Sequence, residues 1–368
     1  MLVAAMGLIE TLTPIQREHL VIPLDDVRRQ DWDIIPRPET TGLSLHDLSR
    51  QQRLLVWDLM AAALPVRTFT QSTQVPQLEH VLRDYEAAFL GRALGAWRDP
   101  HNYYTTIFGR PGFEDSWAFR FYGHHLGINL TVIKERWITA GPSAMGQQPV
   151  VYDGTNKPLQ DEEAAAFAVL DSLTDEQRAR TIVHPVAPAD FVTRYVTRVG
   201  AVEYPDVRDL GMPQYRLTGA DRTATRLVLD EPSGIAGSEL TPEAQANLLV
   251  IVDRFLERHP TPVAEKLKQD VRDTGLDHVH FAWAGDTEPK TSHYFRIQTS
   301  RFLIEFVNSI ASGDHIHSVL RDLRNDLGGD LLAANHPTPV VPTEFPPGWA
   351  QDTRKNSSAD LDPDLDAV

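Results

Sequence analysis

The sequence predicts an α+β protein in which an antiparallel sheet is packed by amphipathic helices within a single large domain. Apolar residues recur at helical spacing in several long segments. Strand-like runs follow one another with short polar breaks, as in antiparallel sheets. At 368 residues, with 42% hydrophobic and 23% charged residues, the chain is long and apolar enough to bury a large core.

The helical pattern is clearest in two places. Between residues 44 and 64, leucines form one apolar stripe and Ser44 is a candidate N-cap. Thr241 and Pro242 have the residue types that start a helix, ahead of an apolar face. In chain order, the helical segments predicted are 14–30 (interrupted by Pro23), 44–64, 76–94, 162–173, 175–181, 241–258 and 263–274.

Strand predictions come from β-branched and aromatic runs bounded by turn residues. Residues 117–138 contain two adjacent runs, and 278–308 contain three runs with short polar gaps, which predicts an antiparallel meander. Further strand-like sequence lies at 32–36 and 98–112. We expect the sheet to be built mainly from 117–138 and 278–308.

Composition predicts how the chain is divided. We expect one globular domain over residues 1–336, with an irregular insertion at 184–240, where Pro, Gly and Arg are frequent. Residues 337–368 are rich in Pro, Asp and Ser, and this predicts an extended or disordered tail.

Net charge and cysteine content exclude several function classes. A formal charge of −16 disfavours binding to nucleic acid or to anionic membranes, because phosphates would be repelled. The chain has no cysteine, so any metal would be held by nitrogen and oxygen ligands. The short apolar N-terminus lacks a basic start, and no stretch is long enough to span a bilayer. We expect a cytoplasmic protein that acts on a small molecule.

Two histidine pairs are the main candidates for chemistry. In the first, His124 and His125 follow Gly123 at a point where the apolar positions change from odd to even numbers. That change predicts a bulge or a tight turn. The turn either aims both imidazoles into a site or is an ordinary hairpin corner.

In the second pair, His315 and His317 are two residues apart. On a strand both rings would point the same way, whereas on a helix they would diverge by roughly 200°. Glu305 lies in a run that is otherwise apolar on both faces, so it needs a partner. Either Arg296 or a metal ion would serve.

These side chains define the candidate site. The candidate metal ligands are His124, His125, Glu305, His315 and His317. Polar residues close to them in sequence are candidates for catalysis, or else form a supporting network or a solvated face. They are Arg120, Arg321, Asp322 and Asp326.

Several motifs together resemble the domain of unknown function 3500 family. Those that carry the resemblance are Trp117-x-Phe-Arg-Phe-x-Gly-His-His-Leu-x-Ile-Asn129, Phe281-Ala-Trp-Ala-Gly285, His293-Tyr-Phe-Arg-Ile297, Phe302-Leu-Ile-Glu305 and His315-Ile-His-Ser-Val-Leu-Arg-Asp322. The resemblance implies a shared architecture and no particular activity. We expect a proline in the family where this chain has Leu323, and that change leaves a helix at 315–322 open.

The candidate ligands indicate a metal-dependent enzyme. Two histidines and a carboxylate suit non-haem iron and oxygen chemistry, while a third histidine suits zinc or copper. We therefore expect a divalent metal ion and an oxidoreductase acting on a small organic substrate. The alternatives are a metal-dependent hydrolase with the same ligands, or a non-enzymatic protein that binds metal or a small molecule.

Overall fold

A computed structural model describes residues 1–35, 40–89, 98–152, 154–193, 196–200, 223–310 and 313–336. Its α-helices are α1 (Leu2–Glu10), α2 (Pro14–Leu20), α3 (Arg50–Ala63), α4 (Val66–Phe89), α5 (Gln160–Asp171), α6 (Asp175–Thr181), α7 (Pro242–Leu256), α8 (Thr261–Thr274) and α9 (Gly329–Asn335). Its strands are β1 (Val21–Ile22), β2 (Leu43–Ser44), β3 (Tyr103–Gly109), β4 (Ser116–Gly123), β5 (Leu126–Ile133), β6 (Trp137–Ala140), β7 (Ser143–Gln147), β8 (Ile182–His184), β9 (Ile235–Ala236), β10 (His280–Gly285), β11 (His293–Gln298), β12 (Phe302–Ile310) and β13 (His315–Asp322).

The fold class is α+β with a mostly antiparallel sheet, as the sequence predicts. The two strand-rich segments, 117–138 and 278–308, each form antiparallel ladders. In the part of the chain that the structure describes, no helix is long and apolar enough to cross a membrane. The described residues divide into two compact units, which lie within 1–145, 257–264 and 324–336, and within 146–256 and 265–323.

The first unit is built on an antiparallel ladder of β3, β4 and β5. β1 pairs in parallel with β3, and β2 and β6 pair with β3 and β5. Residues alternate between the two faces of a strand, so the odd-numbered aromatic residues of β4 share one face. One core cluster contains Ile22, Leu24, Phe108, Ala118, Ile133 and Leu332.

The second unit contains the meander β10–β11–β12–β13, with β8 and β9 paired to β10. Aromatic rings from neighbouring strands stack on one face, where the Phe295 and Phe306 centroids are 4.9 Å apart. Phe167 of α5 and Phe255 of α7 contact this face. We call it the helix-covered face. The opposite face carries the polar residues Tyr294, Arg296, Glu305, His317 and Arg321, and we call it the polar face.

Two predicted helices begin elsewhere than the sequence indicates. α3 begins at Arg50 rather than at 44, because Ser49 forms a capping box with Gln52 and Ser44 instead caps a 3-10 turn. α4 begins at Val66 and runs through Pro76, where the prediction placed its start. Residues 90–94 of that prediction lie outside the described residues.

Tertiary packing explains why α4 continues through a proline. Thr68 and Ser72 before Pro76, and Leu78 and Leu82 after it, are all buried. Burial on both sides stabilises the helix against the cost of an interior proline, which is about 3 kcal/mol.

Two further predictions at the N-terminus are wrong. The strand expected at 32–36 is absent over residues 32–35, which are irregular, and Pro36 lies outside the described residues. The helix expected at 14–30 ends at Leu20, since the chain pairs with β3 at Val21 before it reaches Pro23. The predicted tail, 337–368, also lies outside the described residues.

Candidate functional site

His124 and His125 form a two-residue turn between β4 and β5. Gly123 pairs with Leu126, so both histidines sit at the corner of a hairpin, as the change in apolar positions predicts. His125 has a φ of 62°, in the left-handed region that few non-glycine residues adopt. Its backbone N–H donates to the Ile34 carbonyl at 2.7 Å. The irregular segment at 32–35 therefore holds the turn in place.

Gly123 is required because Tyr103 packs against its backbone. A Cβ atom at position 123 would lie 2.3 Å from the Tyr103 ring. The Tyr103 hydroxyl donates to the His124 carbonyl at 2.5 Å. The close approach of Tyr103 and its hydrogen bond therefore hold the backbone of His124 in place.

The His124 ring lies in a charged environment within the first unit. Its Nδ1 is 2.5 Å from Oε1 of Glu79 and 3.1 Å from a guanidinium nitrogen of Arg98. Arg98 also pairs with Glu86 at 2.6 Å. Burial raises the pKa of Glu79 to about 7, and the positive charge of Arg98 opposes that rise. The ring is thus oriented by a buried carboxyl group, a common arrangement for histidines that bind metal.

The two rings of the turn also contact each other. The centroids of His124 and His125 are 3.6 Å apart with an angle of 32° between the ring planes. His124 is 8% exposed and His125 2%. Both imidazoles are consequently held in a defined, largely dry position.

In the second unit, His315 and His317 lie on β13, which decides between the strand and helix interpretations in favour of a strand. Their Nε2 atoms are 3.1 Å apart. Nδ1 of His317 is 3.0 Å from Oδ1 of Asp190, a carboxylate that is fully buried. The i, i+2 spacing therefore does bring the two rings to one face.

Glu305 has protein partners that differ from the two that the sequence suggests. Its carboxylate accepts hydrogen bonds from the backbone N–H groups of Val192 and Thr193, at 2.7 and 3.0 Å. It also accepts from the Thr193 hydroxyl at 2.5 Å and from the Tyr294 hydroxyl at 2.8 Å. Arg296 is opposite Glu305 on the neighbouring strand, but its guanidinium donates to Ser233 and to the Thr225 carbonyl.

The two candidate catalytic arginines bind backbone carbonyls. Arg120 donates to the carbonyls of residues 28, 29 and 31 and to the side chain of Asn129. Arg321 donates to the carbonyls of residues 193, 196 and 197. Asp322 is buried at the end of β13, and Asp326 begins a 3-10 turn. Catalytic roles for these four residues remain predictions.

Each unit contains one pair of predicted metal ligands. In the first unit, His124 and His125 are both buried and their rings contact each other. In the second unit, His317 is buried, His315 is partly exposed, and each offers a ring nitrogen toward the other. The pair on β13 could hold a metal ion.

The sequence interpretation missed two carboxylates that contact the imidazoles, Glu79 and Asp190. Glu79 could have been found, because its helical spacing from Val75 and Leu82 places a carboxyl group on the buried face of α4. For Asp190 the only signal is an acidic residue among apolar neighbours.

Comparison with known proteins identifies a family and no characterised relative. The family model described as "Protein of unknown function (DUF3500)" matches residues 1–329. No curated protein matches the chain, and no solved structure does.

Proposed function

We propose that this chain, which belongs to the DUF3500 family of proteins of unknown function, is a metal-dependent enzyme whose divalent ion is bound through His315 and His317. The observation that carries the proposal is that the Nε2 atoms of these two imidazoles lie 3.1 Å apart on one face of β13. Imidazole is the commonest metal ligand among side chains.

The chemistry of the ligands narrows the choice of ion. Imidazole nitrogens suit zinc, copper, iron and nickel, whereas magnesium and calcium prefer oxygen ligands. The chain has no cysteine that could supply thiolate. We therefore propose zinc, copper or iron. Both proposed ligands, His315 and His317, offer a ring nitrogen, which supports the same choice.

For the reaction, we propose first an oxidoreductase that acts on a small organic molecule. Iron or copper bound by imidazoles would supply redox chemistry. Arg120 and Arg321 are the positively charged residues that the sequence suggests for catalysis in this reaction, and both are buried. A cytoplasmic location also remains a proposal from the sequence.

A metal-dependent hydrolase is the second candidate, and one observation favours it. Glu305 accepts four hydrogen bonds from its own unit, and these leave it unavailable as the carboxylate of an iron site with two histidines. Histidine ligands with an open coordination position are typical of zinc sites that activate water. Asp322 or Asp326 would be the base in this case.

Metal analysis tests the proposal and separates the two reactions. We expect about one metal ion per chain in the purified protein, and a large loss of metal on His315→Ala. Replacement of the exposed His278 in the same unit, His278→Ala, is the matched control and should retain the metal. Equal metal content in both variants would contradict the proposed site.

The identity of the ion then indicates the reaction. Iron or copper with turnover that depends on oxygen supports the oxidoreductase. Zinc with turnover under anaerobic conditions supports the hydrolase. Bound metal with no turnover on any class of small substrate would favour a non-enzymatic metal-binding protein.

A further inference from the structure

A short segment, residues 189–193, packs on the polar face of the sheet in the second unit. Ala189, Asp190, Phe191, Val192 and Thr193 are all buried. Asp190 Oδ1 accepts from the Phe191 N–H at 2.8 Å and lies 3.0 Å from Nδ1 of His317. A segment without helix or strand structure thus brings a buried carboxylate to one imidazole of the pair. We call residues 189–193 the Asp190 segment.

Glu305 attaches the Asp190 segment to β12. Its two carboxylate oxygens accept from the N–H groups of Val192 and Thr193 and from the Thr193 hydroxyl. The Tyr294 hydroxyl donates to the same carboxylate. Hydrogen bonds to a buried charged acceptor are among the stronger ones in proteins, so this end of the segment is fixed to the sheet.

Two further side chains attach the segment to the sheet. The Ser309 hydroxyl of β12 donates to the Ala189 carbonyl at 3.1 Å. Arg321 of β13 donates to the Thr193 carbonyl at 3.1 Å and to the carbonyls of Val196 and Thr197. The backbone is therefore held on both sides of Asp190, so the direction of its carboxylate is determined by the sheet.

We propose that Asp190 is a positioning residue for His317: it holds the proton on Nδ1 of that ring and turns Nε2 toward His315. This inference rests on the proposed function, because it concerns how one of the two proposed ligand imidazoles is oriented. It also assigns Glu305 and Arg321 a shared role in holding the segment that carries Asp190.

The chemistry of the two rings supports this role. A carboxylate only accepts hydrogen bonds, so the ring nitrogen that faces Asp190 carries a proton. In the neutral ring, Nε2 then presents a lone pair to His315 across 3.1 Å. Two nitrogens bound to one tetrahedral ion at 2.0–2.1 Å would be about 3.4 Å apart. The existing spacing is therefore close to what a shared cation requires.

A double-mutant cycle tests whether Asp190 acts through His317. We expect Asp190→Asn to weaken zinc binding by about 10–100-fold, as for other carboxylates that orient metal-binding histidines. His317→Ala should weaken it as well, and Asp190→Asn added to His317→Ala should have no further effect. Zinc affinity is measured by calorimetry on the full-length protein stripped of metal. A loss that is equally large in the His317→Ala background, or no loss at all, would overturn the proposal.

A control variant and a measurement on the parent protein complete the test. Asp270→Asn removes a carboxylate that pairs with Arg301 in the same unit without contacting an imidazole, and it should leave zinc affinity unchanged. If Asp190→Asn does not fold, ¹⁵N NMR of the metal-free parent protein decides. His317 should be protonated on Nδ1, and a ring protonated on Nε2 alone would refute the role.

These experiments distinguish failure of the inference from failure of the proposed function. If His315→Ala and His317→Ala both abolish zinc binding while Asp190→Asn does not affect it, the metal site stands and the positioning role is wrong. If His315→Ala also leaves zinc binding unchanged, the proposed function is wrong.

Discussion

At the scale of single residues, His125 combines an unfavourable backbone conformation with a candidate ligand. A φ of 62° costs a residue other than glycine roughly 1–2 kcal/mol, and Asn and His tolerate it better than β-branched residues do. Such strain often occurs at functional sites, where surrounding contacts maintain it. Here those contacts include the Ile34 carbonyl and the rigid packing of Tyr103 against Gly123.

A matched pair of variants at this position separates strain from binding. His125→Asn should keep the turn, whereas His125→Val should destabilise the protein by a further ~1–2 kcal/mol because Val is strongly disfavoured at positive φ. Urea denaturation of the metal-free proteins measures the difference in stability. Equal stabilities for the two variants would argue against strain at His125.

Glu305 is a predicted metal ligand whose carboxylate accepts four hydrogen bonds from the protein. Glu305→Gln removes a charge that accepts from Val192, Thr193 and Tyr294, so we expect a loss of about 2–4 kcal/mol in unfolding free energy. The folded protein should still bind metal. Chemical denaturation and metal analysis of the same preparation check both expectations, and loss of metal from a fully stable variant would instead identify Glu305 as a ligand.

At the scale of elements, the connection between α7 and α8 contains a buried histidine, His259. Neither of its ring nitrogens has a hydrogen-bond partner among the described residues. Burial lowers the pKa of His259 to about 3, and the neighbouring Arg258 lowers it further. The folded protein therefore holds this ring neutral at pH values where the unfolded chain would bind a proton.

The sign of the resulting pH dependence is fixed by this depressed pKa. The stability that the protein has with a neutral His259 ring is fully present above the unfolded pKa of 6.5. It is lost as the pH falls from 6.5 toward the folded pKa of about 3. Between pH 6.5 and 4.5 the loss should be about 2 kcal/mol, from roughly 1.4 kcal/mol per pH unit. His259→Leu should abolish this part of the acid destabilisation, as measured by denaturation of metal-free protein at both pH values.

The exposed His19 provides the control for that experiment. His19→Leu should leave the difference in stability between pH 6.5 and 4.5 as it is in the parent protein. A parent-like difference in His259→Leu would mean that His259 is not held neutral by the fold.

At the scale of the whole molecule, metal binding should be linked to stability. An ion that binds only the folded state stabilises it by about 2.7 kcal/mol when its free concentration is one hundred times the Kd. We expect zinc to raise the unfolding midpoint of the parent protein and of His278→Ala, and to leave that of His315→Ala unchanged. Differential scanning calorimetry with and without zinc measures this shift. A shift of the same size in His315→Ala would show that the stabilising ion binds elsewhere.

Local sequence patterns were sufficient to predict several strands and one turn. Alternation of apolar residues predicted β4, β5 and the meander β10–β12, because a strand with a buried face must repeat every second residue. The change of apolar positions at 124–125 predicted the turn for the same reason. Candidate ligands were evident because imidazole pairs in apolar strands are unusual.

The contacts of the candidate site residues depend on long-range folding, which local patterns do not report. Residues 315–317 form a strand because they pair with β12. The local sequence pattern, with Leu323 in place of the expected proline, was compatible with either a strand or a helix. Glu305 is bound by Val192 and Thr193, and His317 contacts Asp190, all of which lie more than 100 positions away in the chain. Side-chain spacing carries no information about such contacts. They arise because buried carboxylates and imidazoles must find hydrogen-bond partners wherever folding brings them.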